Sequence, residues 1–200
     1  MTNYHDDPEA WRQKLHTKLL PHHIRSTMSF AGLYQMTHEM IKKSVIDDVK
    51  AFYGYVKLDE VGVWSNGDAG KEAYRRNVLD LAPKKVFDAS LLWLRAADAV
   101  TSEQMARLND IYNYRHVLTH ELVKFIIDVD FEPDIELLTD AIQILRALSR
   151  FWIQIEKDIG TFDTHGDVDI DSVESGPLLV LDMCIRAHID GLDEISDSDV

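Results

Sequence analysis

The chain has little with which to cross-link or interrupt itself. Cys184 is the one cysteine in 200 residues, which excludes an internal disulfide and suits a reducing compartment. It lies in the apolar run LLVLDMCIRAHI, where a small core residue is expected. With 9 glycines and 5 prolines, the composition is neither fibrous nor low-complexity. No stretch approaches the roughly 18 uninterrupted apolar residues of a membrane-spanning helix. The opening MTNYHDDPEAWRQK carries acidic residues where a secretion signal needs a basic and then an apolar region. A cytoplasmic protein without membrane contact is therefore expected.

Positive charge is also scarce. Lysine and arginine total 21 against 35 acidic residues, a net charge of −14. Such a field opposes nucleic acid, so any RNA or DNA binding has to use a local basic cleft. The main basic clusters are YRRN, with Arg75 and Arg76, and PKK, with Lys84 and Lys85. Their default reading is solvated surface; beside a catalytic cleft they would bind a nucleic-acid substrate. The P-loop, the dinucleotide fingerprint and the Gly-x-Ser-x-Gly elbow are all missing. DVDIDSVE, residues 167–174, imitates a calcium loop but has Ser172 where glycine is needed and Leu178 where glutamate is needed. SDSD, residues 196–199, lacks the Gly-Ser strand-turn that precedes the acidic pair of nucleotidyltransferases.

What the chain does contain is helical periodicity. One helix is expected over residues 7–20, capped by Asp6 or Asp7, with Pro8 in its first turn and Pro21 at its end. A long helix follows over about 23–54, with Met28, Leu33, Met36, Met40, Val45, Val49 and Phe52 as its apolar stripe. Residues 55–70 break that period with three glycines and an Asn-Gly step, as a loop or small hairpin does. Helices over 71–80 and 84–99 come next, the second with Val86, Phe87, Leu91, Leu94 and Ala97 inward. Thr101 and Gln104 are spaced as a capping box for a helix to about Asp128, and Pro133 opens another that Gly160 closes. An acidic loop over about 160–175, a helix over 176–190 and a frayed tail over 193–200 complete the reading. The expectation is a single all-α domain over 1–200, an antiparallel helical bundle with an irregular insertion around 55–83.

The stretch IYNYRHVLTHEL, residues 111–122, holds the strongest candidate chemistry. At about 100° per residue, Leu108, Ile111, Tyr114, Leu118, Leu122 and Phe125 gather on one face. Arg115 edges that stripe, whereas His116 and His120 share another sector with Asn113. Five steps of about 100° set Arg115 and His120 about 140° apart, so they do not meet on one straight helix. A second copy packed around this helix would let them converge. Read without function, Arg115 binds a neighbouring helix and both histidines are solvated. His116 and His120 at i and i+4 also match a two-ligand metal half-site, though the following glutamate of the zincin pattern is missing. His38 and Glu39 in THEM are expected as a solvated pair, and His22 and His23 as surface or capping residues. Trp93 and Trp152 lie in apolar runs and are expected in the core; Trp64 in the irregular segment is the more exposed candidate for base stacking.

Arg115, then His116, then three residues and His120, on a helix of an all-α chain, resembles the motif of the HEPN superfamily, and LNDIYNYR and THEL resemble its surroundings. That resemblance implies a compact, commonly dimeric helical bundle. It implies a metal-independent endoribonuclease of toxin–antitoxin or antiviral defence systems, without a cofactor, leaving 2′,3′-cyclic phosphate and 5′-OH ends. It further implies His120 as general acid/base, Arg115 as phosphate clamp and His116 as an orienting polar group. RNA, a second copy and an antitoxin or regulatory protein would be the partners. The competing class is a non-catalytic helical module that binds a protein.

Overall fold

The computed structural model describes residues 7–54, 56–58, 64–163, 166 and 168–196, with the side chains of 56–58, 64–66 and 193–196 outside that description. Helix dominates it, as expected. Two compact units divide the chain: Met1–His38 with Asn109–Asp140 and Gly176–Val200, and Glu39–Leu108 with Ala141–Ser175.

In the first unit, α1 (Pro8–Lys18) begins where the Asp7 carboxylate accepts the Ala10 N–H at 3.0 Å, with Pro8 in the first turn. Helix α2 (Pro21–Lys43) starts at Pro21, two residues before the expected 23. Its buried residues here are Phe30, Leu33, Tyr34, Thr37 and His38, whereas Met28 is exposed. The buried face is thus rotated from the expected stripe: it keeps Leu33, loses Met28 and takes in Tyr34, Thr37 and His38. His38 is a buried residue whose ring lies 5.9 Å from that of Tyr112, which corrects the solvated pair. Its neighbour Glu39 is exposed and faces Lys42 at 3.7 Å.

Helix α6 (Ser102–His120) enters this unit at Asn109 and stops earlier than expected. Glu121, with φ −118° and ψ 23°, separates it from α7 (Leu122–Ile127). Neither glycine nor proline marks the break. Thr119 Oγ1 donates back to the Arg115 carbonyl at 2.8 Å, a contact that competes with the helical ladder and bends it. The core stripe itself holds: Ile111, Leu118 and Phe125 are buried, with Tyr114 and Leu122 half-buried. Beyond α7, Lys18 Nζ donates to the carbonyls of Phe125 (3.2 Å), Asp128 (2.6 Å) and Phe131 (2.6 Å) and pairs with Glu132 at 3.2 Å. This ammonium answers carbonyls at the end of α7 that the helix itself leaves open.

Helix α9 (Gly176–Ser196) runs past the expected 190 and takes in part of the supposed tail; residues 197–200 lie outside the described ones. Leu178 and Leu181 face the core, and Cys184 is half-buried rather than fully enclosed. Leu179, Val180 and Met183 are exposed on the same helix.

In the second unit, α2 passes into a π-helical turn (Ser44–Asp48) and then α3 (Val49–Phe52). The extra residue of that turn shifts the helical phase, which a constant 100° wheel does not capture. Val45 and Val49 are buried as expected, but Phe52 is exposed. Strands β1 (Val56–Leu58) and β2 (Trp64–Asn66) form an antiparallel hairpin with Val56 opposite Asn66. Tyr55 and residues 59–63 fall outside the described residues, as does the side chain of Trp64. Within the expected insertion, the helix expected over 71–80 is α4 (Asp68–Asn77), starting earlier, and a 3₁₀ turn (Leu79–Leu81) follows it. Gly70 allows α4 to pass the Gly54 turn, since a Cβ there would lie 2.6 Å from the Tyr53 carbonyl oxygen.

Helix α5 (Val86–Ala96) buries Ala89, Ser90, Leu91 and Leu94, while Val86 and Ala97, expected inward, are exposed. The capping box forms as expected: Thr101 N–H donates to Gln104 Oε1 at 2.8 Å, and Gln104 N–H to Thr101 Oγ1 at 3.1 Å. Helix α8 (Ile135–Asp158) begins in the first unit on the Asp134 cap, whose carboxylate accepts the Leu137 N–H at 2.9 Å. Its far end is closed by Gly160 at φ +82°, with Gly160 N–H on the Lys157 carbonyl and Thr161 N–H on that of Glu156. Trp152 Nε1 donates to Ser44 Oγ at 2.9 Å, and the Trp93 and Trp152 rings stack 6.4 Å apart. Both indoles are half-buried, so the expected core placement holds in part. In the acidic loop, a 3₁₀ turn covers Ile170–Ser172, and residues 164, 165 and 167 lie outside the described ones.

Candidate functional site around Arg115

Arg115, His116 and His120 all fall within α6, upstream of the break at Glu121, so the angular separation read from the helix applies. Arg115 is half-buried and its Nε donates to Gln35 Oε1 of α2 at 2.9 Å. This bond fixes the plane of the guanidinium with a neutral acceptor, so the positive charge is not cancelled by it. Arg115 and Gln35 line a cleft of about 290 Å³ with Ala31, Tyr34, Leu118, Thr119 and Leu122.

The cleft wall is braced from below. Tyr34, fully buried, donates its hydroxyl to the Ile111 carbonyl at 3.1 Å and presents its ring edge to Tyr114 at 5.1 Å. Tyr114 packs against Phe125 at 6.0 Å, and its hydroxyl accepts the Asp134 N–H at 2.8 Å. Burial pushes the Tyr114 phenol up from 10.0, so it stays a neutral structural group around neutral pH. One chain of contacts thus joins α2, α6 and the start of α8 behind Arg115.

His116 and His120 are both exposed, and their ring centroids lie 4.2 Å apart. They present two imidazoles side by side on the outer face of α6, in a sector different from that of Arg115. Exposed Tyr112 lies one turn before His116, and exposed Val123 lies just past His120. Arg115 is therefore held beside a cleft while the histidines face outward.

The basic clusters belong to the second unit. Arg75 is gripped by Glu72 through Nε at 3.0 Å and Nη2 at 2.7 Å, and it also meets Asp80 at 3.4 Å. The hydrogen bonds and charge of Arg75 hold the Glu72 carboxyl below its ordinary value. Lys85 faces Asp88 at 3.4 Å, whereas Arg76 and Lys84 are exposed, the latter with a positive φ of 69°. Acidic neighbours thus counter the charge of Arg75 and Lys85.

Gln35 escaped sequence reasoning. A glutamine on a stripe edge carries no spacing signal, and its role depends on which side chain the facing helix brings to it. No protein-family model, curated protein or solved structure matches the chain. Among the described residues no helix is long and apolar enough to cross a membrane.

Proposed function

We propose that this chain is a metal-independent endoribonuclease of HEPN type, acting in bacterial defence or as a cytoplasmic toxin, with a composite site built across two copies. The observation that carries the reading is the half-buried Arg115, hydrogen-bonded to Gln35 beside a cleft, with an exposed His116–His120 pair on another sector of the same helix. In this mechanism, an imidazole of His120 takes the 2′-OH proton of RNA. The 2′-oxygen then bonds to phosphorus, the P–O5′ bond breaks, and the departing 5′-oxygen takes a proton from the His120 imidazolium, which regenerates the base. Arg115 of the other copy neutralises the charge on the phosphoryl oxygens, a task that suits a permanently charged planar fork. His116 orients its neighbour. Arg75, Arg76, Lys84 and Lys85 would supply the basic contacts to RNA, with the charge of Arg75 and Lys85 countered by acidic side chains. An antitoxin or regulatory protein would then control access to the cleft.

A second reading, a non-catalytic module that binds a protein, draws on the exposed Leu179, Val180 and Met183 of α9. Purified protein incubated with RNA in EDTA separates the two. Wild type is expected to cleave to cyclic-phosphate and 5′-OH ends, and Arg115→Ala and His120→Ala to be inactive with folding intact. Cleavage that survives either substitution overturns the assignment.

A further inference from the structure

His116 and His120 have a second chemistry that does not depend on RNA cleavage. Two imidazoles at i and i+4 lie on one helix face, both exposed, with ring centroids 4.2 Å apart. Histidine nitrogens bind zinc at about 2.0–2.1 Å, so two ligands of one ion hold their ring centres roughly 4.5–5 Å apart. The observed spacing needs to open by less than about 1 Å, a small side-chain rotation. The backbone need not move, because α6 already sets the spacing.

We propose that His116 and His120 form a bidentate site for a borderline divalent transition metal, with Zn²⁺, Ni²⁺ and Cu²⁺ as its class. Neutral imidazole suits these ions, whereas Mg²⁺ and Ca²⁺ prefer oxygen ligands in larger numbers. The side chains supply two of the coordination positions and water fills the rest. Among the described residues no group of three or more His, Cys, Asp or Glu surrounds an ion position, so the site is a weak, exchangeable one. A metal bound there occupies the imidazole lone pairs that a proton acceptor needs. On the reading of the chain as a ribonuclease, the same ion is an inhibitor.

Titration calorimetry and thermal unfolding of the full chain with ZnCl₂, NiCl₂ or CuCl₂, against MgCl₂, test the site. Wild type is expected to bind the transition metals, with the unfolding midpoint rising as their concentration rises, and to ignore Mg²⁺. Affinity is expected to follow Cu²⁺ above Ni²⁺ and Zn²⁺. His116→Ala and His120→Ala are each expected to weaken binding at least tenfold. The His22–His23 ring pair, 4.5 Å apart, is the competing source, so His22→Ala is expected to bind as wild type does. Binding that persists in His120→Ala, or that disappears in His22→Ala, overturns the proposal. If wild type never cleaves RNA, the ribonuclease reading falls while the metal titration still decides the site.

Discussion

Replacing Gln35 with alanine tests whether Arg115 is held in place or merely adjacent to α2. The Arg115 Nε donates to Gln35 Oε1 at 2.9 Å in a half-buried setting. A hydrogen bond from a charged donor contributes about 1.5–3 kcal/mol, and water that reaches this pair replaces part of it. The expected loss is therefore about 1–2 kcal/mol, which lowers the unfolding midpoint of a chain this size by roughly 2–8 °C. Urea unfolding of Gln35→Ala, Arg115→Ala and the double variant completes a double-mutant cycle, with a coupling of about 1 kcal/mol expected. Single losses that add to within about 0.3–0.5 kcal/mol refute the hydrogen bond as a stabilising contact. Gln35→Glu adds the functional half. It keeps an acceptor at the same place but offsets the guanidinium charge, so folding is retained and, on the proposed ribonuclease reading, kcat/KM for RNA falls about tenfold or more. A Gln35→Glu variant that cleaves at the wild-type rate rules out Arg115 as the anion clamp.

Lys18→Met removes an ammonium, only 12% exposed, that three carbonyls and Glu132 surround. A loss of about 3 kcal/mol is expected, with faster hydrogen exchange in α7 and residues 128–132; unchanged exchange contradicts the anchoring role. Thr101→Ala deletes one half of the capping box and is expected to cost about 1 kcal/mol in chemical denaturation, whereas a change below about 0.3 kcal/mol argues against the cap. Burial raises the Asp48 carboxyl above its ordinary 3.8, outweighing the opposing influence of Lys43 and Ser44. A raised folded-state value favours folding at low pH and is lost as pH rises through it. Asp48→Asn is therefore expected to stabilise the protein at pH 7, with the gain shrinking as pH falls towards 3.8. Equal urea midpoints at neutral pH refute that account.

Several local features whose partners lie close in sequence were legible, although the break at Glu121, beside the Thr119 back-bond, was not. Asp7, one of the two caps the spacing allows, the Thr101–Gln104 box and Gly160 act on backbone groups within a few residues, where local spacing carries the signal. The stripe of Leu108, Ile111 and Leu118 in α6, continued by Phe125 in α7, was equally legible, because its apolar spacing persists across the break at Glu121. The α2 stripe was not. Tyr34, Thr37 and His38 are buried there despite their polar atoms, and only a facing helix determines that such residues turn inward. Tyr34 shows how: its hydroxyl meets the Ile111 carbonyl, a partner 77 residues away.

The same division runs through the candidate site. By itself the sequence determined that Arg115 and His120 sit about 140° apart on one helix, since that follows from the rise and turn of any α-helix. It also determined that His116 and His120 share a face. Tertiary structure alone decided that Gln35 binds Arg115, that the cleft beside it is lined by Ala31, Tyr34 and Leu118, and that Lys18 closes the end of α7. Each of those contacts joins residues far apart in the chain. Their energies come from which helix packs against which, and no local spacing encodes that.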